Sequence, residues 1–168
     1  MLKKSLVVFS LLALPLTASA DWSAGAGYAS LSDSEDGESI SLGFIYGSVA
    51  YELAKEGSRF SFKPELRIGT GISDDKVYGV TVEVKRFTAL SVRAQYNYEN
   101  GVYLYAMPSY ANLDIKTSYN GASQSDDNWE LGFGGGVGKK INDKMSIEAS
   151  YESYDGTDLL TLGVNYTF

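Results

Sequence analysis

The sequence predicts an all-β protein: an eight-stranded antiparallel up-and-down transmembrane β-barrel over residues 21–168, behind a signal peptide at residues 1–20. Three observations predict it. Apolar residues recur at every second position along most of the chain, the period of a strand with two unlike faces. Short turns alternate with longer acidic stretches, as when one rim of a closed sheet faces the periplasm and the other the outside. Aromatic residues gather near the predicted strand ends, where the two membrane–water interfaces would lie.

The N-terminus supports export. Met1–Lys4 is basic, Leu6–Leu16 is apolar but for Ser10 and Pro15, and Ala18-Ser-Ala20 is a small-x-small site, so cleavage is expected between Ala20 and Asp21. The apolar run is too short for a transmembrane helix. Cleavage would remove Lys3 and Lys4 but no acid, turning 14 basic residues against 21 acidic into 12 against 21, a net charge of −9 in place of −7. That balance disfavours nucleic acid as a partner. With no cysteine, disulfides cannot supply stability, and 13 Tyr, 7 Phe and 18 Gly against 3 Pro suit a β-rich chain.

The first strand, Trp22–Ser30, sets Trp22, Ala24, Ala26 and Tyr28 against Ser23, Gly25 and Gly27. An acidic loop, 31–37, follows. In the second strand, Glu38–Leu53, Ile40, Leu42, Phe44 and Tyr46 hold one phase and Val49, Tyr51 and Leu53 the other. A bulge near Gly47-Ser48 would bring both halves to one face. After the turn 54–58, the third strand alternates Phe60, Phe62, Leu66, Ile68 and Ile72 with Ser61, Lys63, Glu65, Arg67 and Gly69. Pro64 cannot donate to a ladder, which predicts a bulge there. A second acidic loop runs from Ser73 to about Gly79.

The fourth strand, about Thr81–Tyr98, alternates Val82, Val84, Leu90, Val92, Ala94, Tyr96 and Tyr98 with Glu83, Lys85, Ser91, Arg93, Gln95 and Asn97. Asn100-Gly101 supplies the positive φ angles of a tight hairpin. The fifth strand sets Tyr103, Tyr105, Met107, Ala111, Leu113 and Ile115 against Tyr110, Asn112, Asp114 and Lys116, with Pro108 as another expected bulge. The third long loop is about Ser118–Asn128. The sixth strand alternates Trp129, Leu131, Phe133, Val137 and Ile141 with Glu130, Gly132, Gly134, Gly136, Gly138 and Lys140. Beyond the turn Asn142–Lys144, the seventh alternates Met145, Ile147, Ala149 and Tyr151 with Ser146, Glu148, Ser150 and Glu152. After 154–158, Leu160, Leu162, Val164, Tyr166 and Phe168 alternate with Thr161, Gly163, Asn165 and Thr167.

The polar face decides the orientation. It carries Glu52, Lys63, Glu65, Arg67, Glu83, Lys85, Arg93, Asp114, Lys116, Glu130, Lys140, Glu148 and Glu152 among Gly and Ser. A soluble barrel or sandwich would turn these outward; a membrane barrel turns them into its lumen and shows the apolar face to lipid. Periodicity alone fits either. The aromatic ends favour lipid: Trp22, Tyr51, Phe60, Tyr98, Tyr103, Tyr166 and Phe168 at the short-turn rim, Tyr28, Trp129 and Tyr151 nearer the other. Arg86 and Lys139 fall on the outward face, and Arg86, nearer the loop rim, is placed to meet lipid headgroups.

The absence of His and Cys excludes Ser–His and Cys–His nucleophiles and His- or Cys-based metal sites. Asp74-Asp75 and Asp126-Asp127 read as solvated loop acids rather than a tuned acid–base pair. Asp33–Glu38 lacks EF-hand spacing, and Gly132–Gly138 lacks the ending of a phosphate loop. Those glycines are expected to make room for long charged side chains. No cofactor, metal or catalytic residue is expected. An eight-stranded lumen is just wide enough for its own side chains. A plugged, salt-bridged interior is expected, with charge network Glu52, Lys63, Glu65, Arg67, Arg93, Asp114, Glu130, Lys140, Glu148 and Glu152.

The signal peptide, the alternating strands and the ending Gly163-Val-Asn-Tyr-Thr-Phe168 resemble the small outer-membrane β-barrel family of Gram-negative bacteria, of OmpA-barrel and OmpX type, often grouped with porins. The resemblance implies Sec export to the outer membrane, lipid and lipopolysaccharide around a monomeric barrel, and periplasmic chaperones and the barrel assembly machinery during biogenesis. It also implies that Val164, Tyr166 and Phe168 form the assembly signal. Barrel enzymes that act on lipid A, and omptin-type proteases, use a catalytic His, which this chain lacks. The function expected is structural or surface-interacting; the alternative is a small porin or a narrow channel for ions or small hydrophobic molecules.

Overall fold

A computed structural model describes residues 19–35, 38–77, 80–119 and 122–168. The strands are β1 (Ser19–Glu35), β2 (Glu38–Ala54), β3 (Phe60–Gly71), β4 (Asp74–Val77), β5 (Val80–Asn97), β6 (Val102–Tyr119), β7 (Ala122–Lys140), β8 (Met145–Tyr154) and β9 (Thr157–Thr167). All pairings are antiparallel between chain neighbours, β1 also pairs with β9, and β3 pairs with β5. Short β4 continues the path of β3 along β5, so the nine segments make eight spanning strands in a closed up-and-down barrel. Closure leaves no open edge in the spanning wall, as lipid requires of a sheet. Residues 1–18 of the expected signal peptide lie outside the described residues, while Ser19 and Ala20 pair with Ala54 and Leu53.

The orientation follows from exposure. Leu162, Val92 and Phe133 are 58%, 37% and 65% exposed, whereas Arg93 and Glu148 are 5% and 7% exposed. The apolar face of the ribbon looks outward. Its rings pair at both ends: Trp22–Tyr51, Phe60–Tyr96, Tyr96–Tyr98 and Tyr166–Phe168 at the short-turn rim, and stacked Tyr110–Trp129 (centroids 4.9 Å apart) towards the other.

Several expectations need correction. β2 has no bulge at Gly47-Ser48: one register to β1 runs from Ala54 to Glu38. Leu42, Phe44 and Tyr46 instead point inward, with Ile45 and Val49 outward. The phase of the apolar residues changes because the lumen itself becomes apolar towards the long-hairpin end. β6 is inverted too, here because aromatic rings pack inside the barrel against the ion cluster. Tyr103, Tyr105 and Met107 are buried inside, and Leu104, Ala106, Pro108 and Tyr110 face out, so Tyr103 is no girdle residue. The β5–β6 register shifts at Val84/Arg86. It turns both Val84 and Phe87 inward and leaves Lys85 and Arg86 exposed, moving Lys85 off the polar face.

The prolines need no bulges either. The β2–β3 register is the same on both sides of Pro64, and the β5–β6 register the same on both sides of Pro108. Each costs only the local pairing: Tyr51 and Glu52 lose their β3 partners, and Val92 and Arg93 lose their β6 partners.

Much of the supposed loop sequence is ladder. Leu31–Glu35 pairs with Glu38–Leu42, Asp74–Val77 with Val80–Glu83, and Thr117–Tyr119 with Ala122–Gln124. A hairpin standing in water can be polar on both faces, which removes the alternation that marks a strand in lipid. The β8–β9 connection is shorter still, the tight turn Asp155-Gly156 with Gly156 at φ 85°.

Candidate functional site

The candidate site is the barrel interior, which is divided along its length. In the half towards the short turns it is ionic. Arg93 on β5 donates to both oxygens of Glu65 on β3 (Nε 2.7 Å, Nη2 2.9 Å) and to both of Glu148 on β8 (Nη1 2.7 Å, Nη2 2.8 Å). A planar guanidinium suits this double fork as an ammonium would not. The Tyr105 ring lies under the guanidinium at 4.6 Å, and the Tyr103 hydroxyl donates to Glu148 at 3.2 Å.

One layer further in, Arg67 on β3 makes a bidentate pair with Glu152 on β8, at 2.6 and 2.7 Å. Glu152 also accepts from Ser109 (3.0 Å) and Tyr154 (2.8 Å). In the closed strand order β3 and β8 are four strands apart by either route, so this pair spans the barrel diameter. All five charged side chains, Arg67, Arg93, Glu65, Glu148 and Glu152, are essentially buried, a placement tolerated only because every carboxylate meets an arginine, Arg93 serving two, and most of the remaining bonding capacity is used.

Towards the long hairpins the interior turns apolar. Ala29, Leu31, Leu42, Phe44, Tyr46, Val84, Phe87, Ala89, Ala111, Tyr154 and Leu159 form one buried cluster, with Leu113 packed on it. Phe44 and Phe87 meet with centroids 4.8 Å apart. The two halves join where Arg67 lies 5.6 Å from the Phe87 ring and where Tyr154 bonds Glu152.

The predicted charge network thus resolves into parts. Glu65, Arg67, Arg93, Glu148 and Glu152 form the two central clusters, and Lys63 pairs with Glu52 at 3.5 Å nearer the short-turn rim. Glu130 lines a cavity, whereas Asp114 is not a lumen charge: it alternates with the inward Leu113 and Ile115 and sits opposite exposed Arg86, so the inversion of β6 puts it on the outer face, with one oxygen buried without a hydrogen bond. Lys140 is exposed at the short-turn end, and Glu83 pairs with Lys116 at 3.4 Å near the far end. Val164, Tyr166 and Phe168 all face outward. The paired acids Asp74-Asp75 and Asp126-Asp127, and the stretch Asp33–Glu38, have side chains outside the described residues. Among the described residues no group of three acids converges on a metal-sized site.

Tyr103, Tyr105, Ser109 and Tyr154, which complete the ionic clusters, escaped the sequence reading. Counting residues through the Asn100-Gly101 turn would have found the first two, because Asn97 is opposite Tyr103 and therefore shares its face. The glycines of β7 make room mainly for tyrosine rings rather than for the long charged side chains expected. A Cβ at Gly138, Gly136 or Gly132 would overlap the ring of Tyr103, Tyr105 or Tyr154; only at Gly134 would it meet a charged side chain, that of Glu152.

Comparison with known proteins agrees with this architecture. Residues 5–168 match the outer membrane protein beta-barrel domain. No curated protein matches the sequence significantly. Among solved structures, the attachment invasion locus protein Ail of Yersinia pestis, solved in complex with the heparin analogue sucrose octasulfate, is similar with a TM-score of 0.66 and 20% identity over 89% of this chain and 99% of Ail. The N-terminal β-barrel domain of Pseudomonas aeruginosa OprF gives 0.60 and 14% over 86% of this chain and 97% of that one. Neisserial surface protein A gives 0.59 and 14% over 89% and 99%. At these identities the likeness is one of fold. With a family match over nearly its whole length and a barrel whose apolar face looks out, this chain belongs to the outer membrane protein beta-barrel domain family.

Proposed function

We propose that this protein is a structural and surface-interacting outer-membrane barrel whose lumen is closed by its own side chains, and that it is neither a diffusion pore nor an enzyme. The observation that carries the reading is the Arg67–Glu152 pair, which crosses the diameter at 2.6 Å directly beside the Arg93 cluster. Opening a water path there would require separating buried, bidentate charge pairs, each costing about 3–5 kcal/mol to break one-sidedly. Purified protein in planar bilayers is expected to show no steady single-channel steps. Stable, large steps would replace this reading with the narrow channel for ions or small hydrophobic molecules.

Polyanion binding of the kind seen in the Ail complex is not proposed. The outer stretches carry Asp33, Glu35, Asp36, Glu38, Asp74, Asp75, Asp126 and Asp127, which would repel sulfated sugars. Export by a cleaved signal peptide in a Gram-negative cell, monomeric insertion among lipid and lipopolysaccharide, and delivery through periplasmic chaperones to the assembly machinery complete the proposal. For delivery, the support is the outward row Val164, Tyr166 and Phe168 at the chain end. Deleting Phe168 should lower the amount of folded barrel in the outer membrane; unchanged levels would remove the signal role.

A further inference from the structure

The apolar half of the lumen is not completely filled. A cavity of about 120 Å³ is bounded by Leu31, Phe87, Leu113, Tyr154 and Leu159, with Glu130 at its wall. Its lining runs out to Asn128 and Thr157 at the long-hairpin end, where Asn128 is exposed. Its inner end is shut: Phe87 lies over Arg67, and the Tyr154 hydroxyl is bonded to Glu152 and Ser109. Glu65, Glu148 and Glu152 each meet an arginine, but among the described residues none forms an ion pair or hydrogen bond with Glu130. Among the described residues this half-buried carboxylate beside an apolar hollow has no cationic partner, whereas Glu65, Glu148 and Glu152 each have one.

We propose that this cavity is a blind binding site for a small organic ammonium ion with an apolar body. The size argues for a body of a few carbons or a single ring: a dry cavity of about 150 Å³ lined by Leu, Ile and Phe takes benzene. The ammonium pairs with Glu130, and Leu31, Leu113 and Leu159 with the rings of Phe87 and Tyr154 take the apolar body. An anionic ligand of the same shape is repelled. A neutral one keeps the apolar contacts and loses the charge-assisted bond. Blindness rests on the closed-lumen reading above, because the Arg67–Glu152 layer is the floor.

Benzylammonium and benzyl alcohol serve as probes, titrated against the full folded barrel in detergent while the methyl resonances of Leu31 and Leu159 are followed. Benzylammonium is expected to bind at least about tenfold more tightly than the alcohol, the difference a charge-assisted hydrogen bond makes. Glu130→Gln should erase that difference while leaving the alcohol's affinity unchanged. Filling the hollow with Ala111→Leu, or with Leu113→Phe should the first disturb folding, should weaken both probes; heat-modifiable migration in gels verifies that each variant is folded. Equal affinity for the two probes, or a preference that survives Glu130→Gln, would overturn the site. The same preparation is tested for conductance. Absent binding without conductance overturns the site alone, and channel steps blocked by benzylammonium overturn its blindness together with the closed lumen.

Discussion

The two halves of the lumen solve the same problem with opposite chemistry. Towards the short turns the wall encloses arginine and glutamate locked in bidentate pairs, with tyrosine and serine hydroxyls on the remaining lone pairs. Towards the long hairpins it encloses Phe44, Phe87, Leu42 and Leu159 in a packed cluster like that of a soluble domain. The difference teaches where each half draws its strength. The ionic half depends on every partner being present, because a lost group leaves a charge stranded. The apolar half loses only contacts, in proportion to the volume removed.

Substitutions can break or sharpen that contrast. The largest effect is expected from Arg93→Ala, which strands Glu65 and Glu148 together. It should cost about 3–5 kcal/mol, read as a fall in the urea midpoint for unfolding from lipid vesicles. A loss under about 1 kcal/mol would mean that water already screens the cluster. In the other half, Leu159→Ala should cost about 2 kcal/mol, the low end for a buried leucine because a cavity already adjoins it, and the loss should not change with salt. A salt-sensitive loss would show that the halves are coupled more closely than packing allows. The smallest effect, about 1 kcal/mol, is expected from Tyr103→Phe, which removes one hydrogen bond to Glu148 and keeps the ring against β7. The same unfolding midpoint measures it.

The contrast also explains what could be read from the chain beforehand. Where the lumen-facing residues are charged or small and polar, alternation has a clear sign: β3, β8 and β9 put Glu65, Glu148 and Thr161 inside and Leu66, Ile147 and Leu162 outside, as their sequences say, while β6, whose inward residues there are Tyr103, Tyr105 and Met107, has no such sign. Where the lumen is apolar both faces are greasy and the pattern loses its sign. Leu42, Phe44 and Tyr46 therefore alternate as lipid-facing residues would, and only their inward packing and the unbroken β1–β2 register show that no bulge is needed. The real irregularity, at Val84/Arg86, sits where Lys85 and Arg86 are adjacent and no apolar period exposes it. The arginines and glutamates of the central clusters were legible as inward charges, but which pairs with which was not. That β3 and β8 lie opposite each other follows from an eight-stranded up-and-down ring, but the heights at which Arg67 and Glu152 meet are set by the stagger of the closed sheet, which leaves no local trace in sequence.

The two prolines have a joint effect that neither has alone. Pro64 interrupts β2–β3 pairing and Pro108 interrupts β5–β6 pairing, while Pro64 itself sits opposite Val92 in the intact β3–β5 pair. At that height the two-stranded panel β3–β5 is unlaced along both of its outer seams. The same panel carries Glu65 and Arg93, and Arg93 reaches to Glu148 on β8. The internal ion cluster therefore acts as a tie-rod behind this unlaced panel, and amide exchange around Val92 should quicken when that tie is cut.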